Sequence, residues 1–370
     1  MKKVLVALVC LVVVASCCAL MFGCSQKTYE IAVVTDVGQL MDGGFNQGTW
    51  EGAKAYAEAN GKTYQYYQPA NGADATDNDR IAAMRQAVKN GAKVIVAPGF
   101  LQATAMETVA KESPDVKFIF VDGWALGLDN VTAVVYKEQE SGYMAGYAAV
   151  KEGYRKLGGT FGGGGGNPAC NRFLYGYVQG ATAAAKELDV EVSIVASFKY
   201  GAGFSASTEL QTQISSWYNS GVEVVFACGG SMVQSVKAAA EETVNGKIIG
   251  VDTDQVGISE RVITSAVKGL APSVKKILTE FYAGEWDAKL ADKASNLGAS
   301  DNATGLPTAD ASWRMTNFTK DAYNTLLASI QNGTVTVATI DPTTLPDGNE
   351  NDDWLQAVVT GSKVTVTLEK

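Results

Sequence analysis

Three aspartates and a pair of glycines stand where apolar segments of this chain end. Asp36, Asp122 and Asp252 each close a short run of β-branched or aromatic residues. Gly229 and Gly230 follow another such run. A single aspartate in this position often only caps the next helix or turn. Three equivalent carboxylates beside bare backbone indicate a face that binds a small polar solute, because carboxylates accept hydrogen bonds and glycine admits close approach.

The overall composition excludes several classes of function. The chain has 370 residues, 19% of them charged and 46% hydrophobic, which is enough apolar material for two folded domains. A formal net charge of −9 provides no basic field for nucleic-acid phosphates. Histidine is absent, which excludes serine–histidine and cysteine–histidine nucleophiles and histidine-ligated zinc. We therefore expect no nucleic-acid partner, no histidine-based catalysis, and no metal or other cofactor.

The first 24 residues carry the features of an export signal. Two lysines precede an apolar run from Val4 to Phe22, which ends at Gly23-Cys24. The run approaches the roughly 20 residues of a membrane-spanning helix, but a small residue followed by cysteine favours cleavage and lipidation of Cys24. Cys17 is the alternative site, although cleavage there would leave apolar residues exposed. We predict that residues 1–24 are a lipoprotein signal peptide and that the protein is anchored to the cell membrane on its extracellular or periplasmic side.

The rest of the chain alternates apolar β-type runs with amphipathic segments, which predicts parallel sheets covered by helices. The predicted strands of a first series are 31–35, 64–68, 94–97, 118–122 and 132–136, and its helices are 46–59, 79–90, 102–113 and 139–152. A second series has strands 191–196, 222–227 and 247–252, with helices 170–188, 207–219 and 232–244.

These two series predict an α/β protein with two doubly wound parallel-sheet lobes joined by hinge strands. The carboxyl ends of both sheets then face one crevice, where ligands bind in open α/β folds. We assign residues 27–137 plus about 247–270 to the N-terminal lobe and residues 138–246 plus about 271–370 to the C-terminal lobe. The expected hinge connections lie near Lys137, Gly246 and Leu270.

The end of the chain is acidic and rich in turn residues from Leu345 to Asp353, and 363–368 has the pattern of a further strand. We expect this tail to pack on one lobe. Beyond the signal segment, Cys170 and Cys228 are too few for a disulfide framework. We expect two small hydrophobic side chains there, with a disulfide between them as the alternative.

The glycine run Gly162 to Gly166 invites comparison with a phosphate cradle. It lacks the G-x-x-x-x-G-K-[ST] pattern of such loops, and a glycine run matches looser patterns by accident. Pro168 follows closely, and proline is favoured in the first turn of a helix. We therefore predict a strand-to-helix turn here.

The segment from Thr35 to Gly52 carries the most specific motif of the chain. It contains Asp36-Val37-Gly38, then Asp42, then Phe45-Asn46-Gln47, and then Trp50-Glu51-Gly52. This order resembles the D-x-G-x-x-x-D-x-x-F-N-Q loop and W-E-G helix of the basic membrane protein family, the nucleoside-binding lipoproteins of ABC importers.

Further segments resemble the same family in the same order over most of the mature chain. They are Phe118 to Asp122, Gly165 to Pro168 with Arg172-Phe173 and Gly176, Gly250 to Asp252, and Thr264 to Lys268. The resemblance implies a type I periplasmic binding protein-like fold that closes on a nucleoside, with purines favoured. It also implies an ABC permease as the partner and no enzymatic activity.

The resemblance implies roles for particular residues. Phe45 and, in a loop that departs from the family by its following Ser-Ala-Ser, Phe204 would sandwich the base, which gains apolar burial and stacking of roughly 1–3 kcal/mol. Asp36, Asn46 and Asp122 would contact the polar edge of the base or nearby hydroxyls. The ribose diol would be held by Asp252, which accepts, and Lys268, which donates. Gly229 and Gly230 would let backbone approach the ligand.

Two other functions stay open at this point. The same scaffold could bind a sugar or an autoinducer, although a sugar site usually has more polar side chains around the ring. A nucleoside hydrolase that used Asp36 and Asp122 with a bound cation is the enzymatic alternative. Nothing in the chain suggests an oligomer, so we expect a monomer.

Overall fold

The computed structural model describes residues 28–37, 39–340 and 352–370. The predicted signal segment, with Cys24 and Cys17, lies outside the described residues, as does most of the acidic stretch from Leu345 to Asp353. Within the described part of the chain, no helix is long and apolar enough to cross a membrane.

Thirteen strands are present in the described residues. They are β1 Ile31–Val34, β2 Tyr64–Tyr67, β3 Val94–Pro98, β4 Lys117–Val121, β5 Val131–Tyr136, β6 Lys156–Phe161, β7 Val192–Ser197, β8 Val224–Cys228, β9 Lys247–Asp252, β10 Val262–Lys268, β11 Ala294–Leu297, β12 Thr304–Gly305 and β13 Val364–Glu369.

The α-helices that accompany these strands are α1 Phe45–Ala59, α2 Asp77–Lys89, α3 Ala103–Glu112, α4 Glu138–Glu152, α5 Pro168–Leu188, α6 Thr208–Asn219, α7 Val233–Glu241, α8 Leu270–Tyr282, α9 Trp286–Lys289, α10 Lys320–Gln331 and α11 Asp353–Val359. Short 3-10 turns precede several of them, including Phe100–Gln102 before α3 and Gly230–Met232 before α7.

The strands form two sheets, which define two lobes. The sheet of the first lobe has the order β11-β5-β4-β3-β1-β2, and that of the second lobe has the order β12-β10-β9-β8-β6-β7-β13. The paired strands are parallel, except that β10 and β12 are antiparallel. Hydrophobic clusters pack on both faces of each sheet. The predicted α/β fold with two doubly wound parallel sheets is confirmed.

The sequence patterns located most elements correctly but missed four strands, β6, β10, β11 and β12. β6 lies within a stretch that contains Gly158 and Gly159, where β-branched residues are scarce. β10 contains the family motif from Thr264 to Lys268, but its pattern of apolar and polar residues did not predict a strand. In β6 the added Cβ of Gly158 would lie 3.0 Å from the Val225 side chain, so neighbouring side chains fill the space that glycine leaves. The predicted final strand is confirmed as β13.

The lobe boundaries predicted after residue 246 are wrong. Residues 247–268 include β9, which pairs with β8, and β10, which pairs with β9, so they belong to the second sheet rather than to the first lobe. Conversely, α8 packs on α1, and β11 pairs with β5, so residues 270–297 belong to the first lobe rather than the second. Strand pairing decides these assignments, and the local pattern of a strand does not reveal its partner.

The chain passes between the lobes at Lys137, at Gly269 and after Leu297. The expected hinge at Gly246 is wrong, because this residue connects α7 to β9 within the second lobe. The final segment packs on the second lobe, where β13 adds a parallel strand to β7.

Candidate functional site

A cavity lies between the two lobes at the carboxyl ends of both sheets. Interfaces between two lobes are a common location for sites that bind small organic ligands. The nine residues predicted from sequence all line this cavity: Asp36, Phe45, Asn46, Asp122, Phe204, Gly229, Gly230, Asp252 and Lys268. The structure therefore brings them together, and their roles in binding stay predictions.

A buried aspartate shapes the loop that delivers the first-lobe residues. The carboxylate of Asp42 accepts hydrogen bonds from the backbone N–H groups of Gly44 at 2.8 Å, Asn46 at 3.0 Å and Gln47 at 3.2 Å. These donors belong to the start of α1, whose first N–H groups have no partner within the helix. Burial raises the pKa of Asp42 even though these bonds favour its charged form. Asp42 thus fixes Phe45 and Asn46 at the edge of the cleft.

The same loop is bonded to the second lobe through the carbonyl oxygen of Gly43. This oxygen accepts from Thr253 Oγ1 and from Gln255 Nε2, each at 2.9 Å. The buried side chain of Gln255 also accepts from the backbone N–H of Val251 at 3.0 Å. Gln255 therefore joins the motif loop of one lobe to a strand of the other.

Lys268 is the centre of a buried ionic cluster. Its Nζ lies 2.7 Å from Asp122 of the first lobe, 3.4 Å from Asp252 at the end of the neighbouring strand, and 3.6 Å from Glu138 at the start of α4. Glu138 is completely buried and accepts from Arg172 Nε at 2.6 Å. Three carboxylates and two cations thus neutralise one another in part, as burial of charge requires.

The pKa values of this cluster shift in directions that follow from burial and from neighbouring charge. Burial raises the pKa of Asp122 to about 6, against the opposing effect of Lys268. Burial likewise raises the pKa of Asp252. Burial also tends to raise the pKa of Glu138, but the positive charges of Arg172 and Lys268 outweigh burial and hold this pKa below its usual range. Burial opposes the charge of Lys268, yet the three carboxylates raise the pKa well above its ordinary value. Lys268 is therefore a fixed cation.

Aromatic rings from both lobes line the cleft beside this cluster. The Phe45 ring centroid lies 4.7 Å from Lys268 Nζ, a distance at which a cation is attracted to a ring face. Phe173 is buried below, also within 5.6 Å of the same ammonium. Phe204 projects from the second-lobe loop after β7 and has a positive φ of 54°. Such backbone is uncommon for a non-glycine residue and must be supported by its surroundings.

Close packing explains why the run beside Phe204 consists of glycines. A Cβ at Gly162 would lie 2.4 Å from the Phe204 ring, and a Cβ at Gly163 would lie 2.3 Å from Asn167. Asn167 caps α5 by accepting from Cys170 N–H at 2.9 Å, and Pro168 occupies the first turn. The predicted strand-to-helix turn is confirmed.

Two polar atoms in the cleft have acceptor capacity to spare. Within the described residues, Asn46 Oδ1 and Asp122 Oδ1 are buried and have no hydrogen-bond partner. A buried acceptor without a donor costs about 1–3 kcal/mol. Both atoms belong to residues predicted to contact the polar edge of a ligand.

The two cysteines of the described region also line the cavity. Cys170 and Cys228 are free, and their sulfurs lie 4.0 Å apart. Burial raises the pKa of the Cys228 thiol. The expectation of two small buried side chains agrees with this geometry.

Several other residues line the cavity but were not predicted from the sequence as site residues. They are Gln39, Asp42, Gly99, Phe100, Asn167, Ala169, Cys170, Phe173, Cys228, Ser231 and Val251. Asp42 and Phe173 stood inside quoted motifs, so the signal was present for them. Glu138, which supports Lys268 from outside the lining, reads in sequence as an ordinary acidic residue in the first turn of a helix. Among the described residues, no group of histidine, cysteine or acidic side chains is arranged to hold a metal ion.

Two doubly wound lobes with a polar and aromatic cleft between them define a solute-binding protein of the type I periplasmic binding class. Solved structures support this fold. A solute-binding protein of an ABC transporter system from Aeropyrum pernix superposes with a TM-score of 0.71 at 20% identity and covers 90% of this chain and 96% of its own. A counterpart from Conexibacter woesei gives 0.63 at 21% identity, with 84% and 99% covered.

The chain belongs to the Bmp family, described as ABC transporter substrate-binding protein PnrA-like, whose family profile matches residues 29–323. An ABC transporter nucleoside-binding protein, BmpA, from Lactococcus lactis subsp. cremoris is 30% identical over 74% of this chain and 82% of its own length. Basic membrane protein B from Borreliella burgdorferi is 28% identical over 60% of this chain and 64% of its own length. The family consists of transporter substrate-binding components, so the chain binds a transported small molecule and is not an enzyme.

Proposed function

We propose that this protein is a lipid-anchored nucleoside-binding subunit of an ABC importer and favours purine nucleosides. The observation that carries the proposal is the convergence of all nine predicted residues on one interlobe cavity. The name of the Lactococcus lactis relative supports the same substrate class. Phe45 and Phe204 approach from different lobes, an arrangement that suits a flat base held between them.

The charge of the cavity separates nucleosides from nucleotides. Among the residues that the structure describes, four aspartates and one lysine line it: Asp36, Asp42, Asp122, Asp252 and Lys268. The lysine already pairs with two of these aspartates. A phosphate group would meet an excess of negative charge, and juxtaposed like charges cost several kcal/mol. Neutral hydroxyl and amine donors instead match the unpartnered oxygens of Asn46 and Asp122.

Calorimetric titration tests this function directly. We would use the soluble chain from Ser25 onward, freed of ligand carried over from expression, and a panel of inosine, guanosine, adenosine, cytidine, uridine, ribose and galactose. We expect nucleosides to bind, purines most tightly, and inosine monophosphate to bind at least about 100-fold more weakly than inosine. Binding of galactose alone would replace this proposal with the sugar-binding alternative.

Two substitutions distinguish the base pocket from the ribose pocket. Phe45→Ala should weaken all nucleosides and leave free ribose unaffected, because it removes stacking worth roughly 1–3 kcal/mol. Asp252→Asn should weaken ribonucleosides by about 10- to 100-fold and 2′-deoxynucleosides less, since the charged acceptor of the diol is lost. Thr367→Ala, an exposed change on β13, is the matched control. Equal losses for nucleosides with and without the 2′-hydroxyl would count against a diol site.

The lipid anchor has a separate test. We propose lipidation at Cys24, with Cys17 as the alternative. Cells that express the full chain would be fed a labelled fatty acid, and the mature N-terminus would be identified by mass spectrometry. We expect Cys24→Ala to abolish labelling and Cys17→Ala to retain it.

Light scattering of the soluble form should give the mass of a monomer.

A further inference from the structure

The part of the chain that follows the family region extends the sheet of the second lobe. The family profile ends at residue 323. Beyond it, β13 pairs in parallel with β7, from Val364 opposite Val192 to Glu369 opposite Ser197. The pairing covers an edge that would otherwise expose unpaired backbone groups. It also brings the end of β13 to the carboxyl end of the sheet, which is the side of the cleft.

Glu369 makes a dense set of contacts at that end. Its backbone oxygen accepts from Ser197 Oγ at 3.0 Å. Its carboxylate accepts from Trp217 Nε1 at 2.6 Å and from Gln213 Nε2 at 3.2 Å. Trp217 and Gln213 belong to α6, whereas Ser197 is the last residue of β7. Glu369 therefore ties the end of β7 to the middle of α6, at Gln213, and to its last turn, at Trp217.

The loop between β7 and α6 carries Phe204. The completely buried Ser197 begins it, and its Oγ accepts from the backbone N–H of Lys199 at 3.1 Å and from Gln213 Nε2 at 3.2 Å. Inside the loop, Gly201 N–H donates to the Phe198 carbonyl and Phe204 N–H donates to the Gly201 carbonyl, each at 3.1 Å. Both ends of the loop are thus attached to elements that Glu369 joins.

We propose that Glu369 is a positioning residue for the cleft, which holds the β7–α6 loop so that Phe204 faces the ligand. Phe204 needs this support because its positive φ of 54° lies in a region that side chains adopt only under constraint. The proposal rests on the proposed function for the identity of the ligand. A segment outside the family region then tunes binding without contacting the solute, since Glu369 does not line the cavity.

The first measurement is hydrogen–deuterium exchange of the ligand-free protein, which needs no knowledge of the ligand. In Glu369→Ala, the backbone amides of residues 198–206 should exchange faster than in the wild type, with little change in the first lobe. Thr367→Ala is the matched control, because its side chain is exposed on the same strand. Glu369→Gln keeps an acceptor for Trp217 and should restore protection in part. Trp217→Phe, which removes the donor and keeps a ring, should reproduce the loss if Glu369→Ala does not fold.

The second measurement is calorimetric titration of the same variants with inosine. We expect Glu369→Ala to weaken inosine binding by about three- to tenfold and Thr367→Ala to leave it unchanged. Unchanged exchange at 198–206 in Glu369→Ala would overturn the proposal. A lowered melting temperature of Glu369→Ala with unchanged inosine affinity would also overturn the proposal, because Glu369 would then contribute to stability only. If wild-type protein binds no nucleoside while the exchange difference appears, the proposed function fails and the positioning of the loop stands.

Discussion

Each lobe contributes to the cleft a strand, a glycine in the left-handed region, a 3-10 turn, a helix and a second strand that leads to an aspartate. In the first lobe this unit runs from β3 through Gly99 and α3 to Asp122, and in the second from β8 through Gly229 and α7 to Asp252. Both glycines have a positive φ, at 102° and 152°, and so do both aspartates, at 57° and 66°. The two walls of the cleft therefore share the same order of elements and the same positions of positive φ.

The side chains on the two walls differ. A Cβ at Gly99 would lie 2.1 Å from Asp36 Oδ2, so this glycine makes room for a carboxylate. A Cβ at Gly229 would instead lie 2.9 Å from Met232 Sδ and 3.2 Å from the backbone of Gly162. The first wall is acidic, whereas the second adds a lysine and a glycine-backed aromatic loop. The repeated scaffold fixes where groups converge, and the sequence on it fixes the chemistry.

Removal of the cation shared by both walls should have the largest effect. Lys268→Met leaves Asp122, Asp252 and Glu138 buried with less compensation, and breaking a buried ion pair typically costs about 3–5 kcal/mol. We expect a loss of this size in the free energy of unfolding, measured by urea denaturation, together with loss of nucleoside binding.

The control for this change is Lys289→Met, which breaks an exposed pair with Glu285 and should leave the free energy of unfolding almost unchanged. Similar losses for the two variants would contradict the view that Lys268 holds the two walls together.

The two glycines offer a direct comparison of the walls. Gly99→Ala should cost about 1–3 kcal/mol of stability from backbone strain and should also weaken ligand binding, because the new methyl group displaces Asp36. In Gly229→Ala the new methyl group would contact the Met232 side chain and the Gly162 backbone rather than Asp36. We therefore expect no displacement of Asp36 in this variant. Gly333→Ala, at φ 77° in open space, measures the strain alone. Urea denaturation and calorimetry would separate the terms, and identical binding in all three variants would argue against a role for Asp36.

A pH dependence of stability is expected from Asp122. Burial raises its pKa to about 6 from its usual 3.8, so the folded protein binds an extra proton between about pH 4 and 6. Relative to Asp122→Asn, the unfolding free energy of the wild type should be highest below about pH 4 and should fall as the pH rises through about 6. Denaturation curves of both proteins at pH 4 to 7.5 test this. If the stability of the wild type relative to Asp122→Asn instead rises with pH over this window, the pKa of Asp122 is lowered, and the effect of Lys268 on it exceeds that of burial.

The sequence was most informative where a local pattern carries the information. Periodicity located β1, β3, β4 and α1, because strands buried on both faces are continuous apolar runs. The motif from Asp36 to Gly52 pointed to the family and to the loop of the first lobe. The pattern was weakest at β6, where glycines hide the strand, and at Glu138, whose partly buried partner Arg172 lies 34 residues away.

By itself, then, the sequence determined the α/β class, the two-lobe repeat and the residue types available to the cleft. Only the tertiary structure decided that β9 and β10 belong to the second sheet, that Lys268 is shared by Asp122, Asp252 and Glu138, and that Glu369 meets Trp217. The reason is physical. Local patterns encode which face of an element is buried, whereas strand partners and ion pairs between distant residues depend on how the whole chain packs.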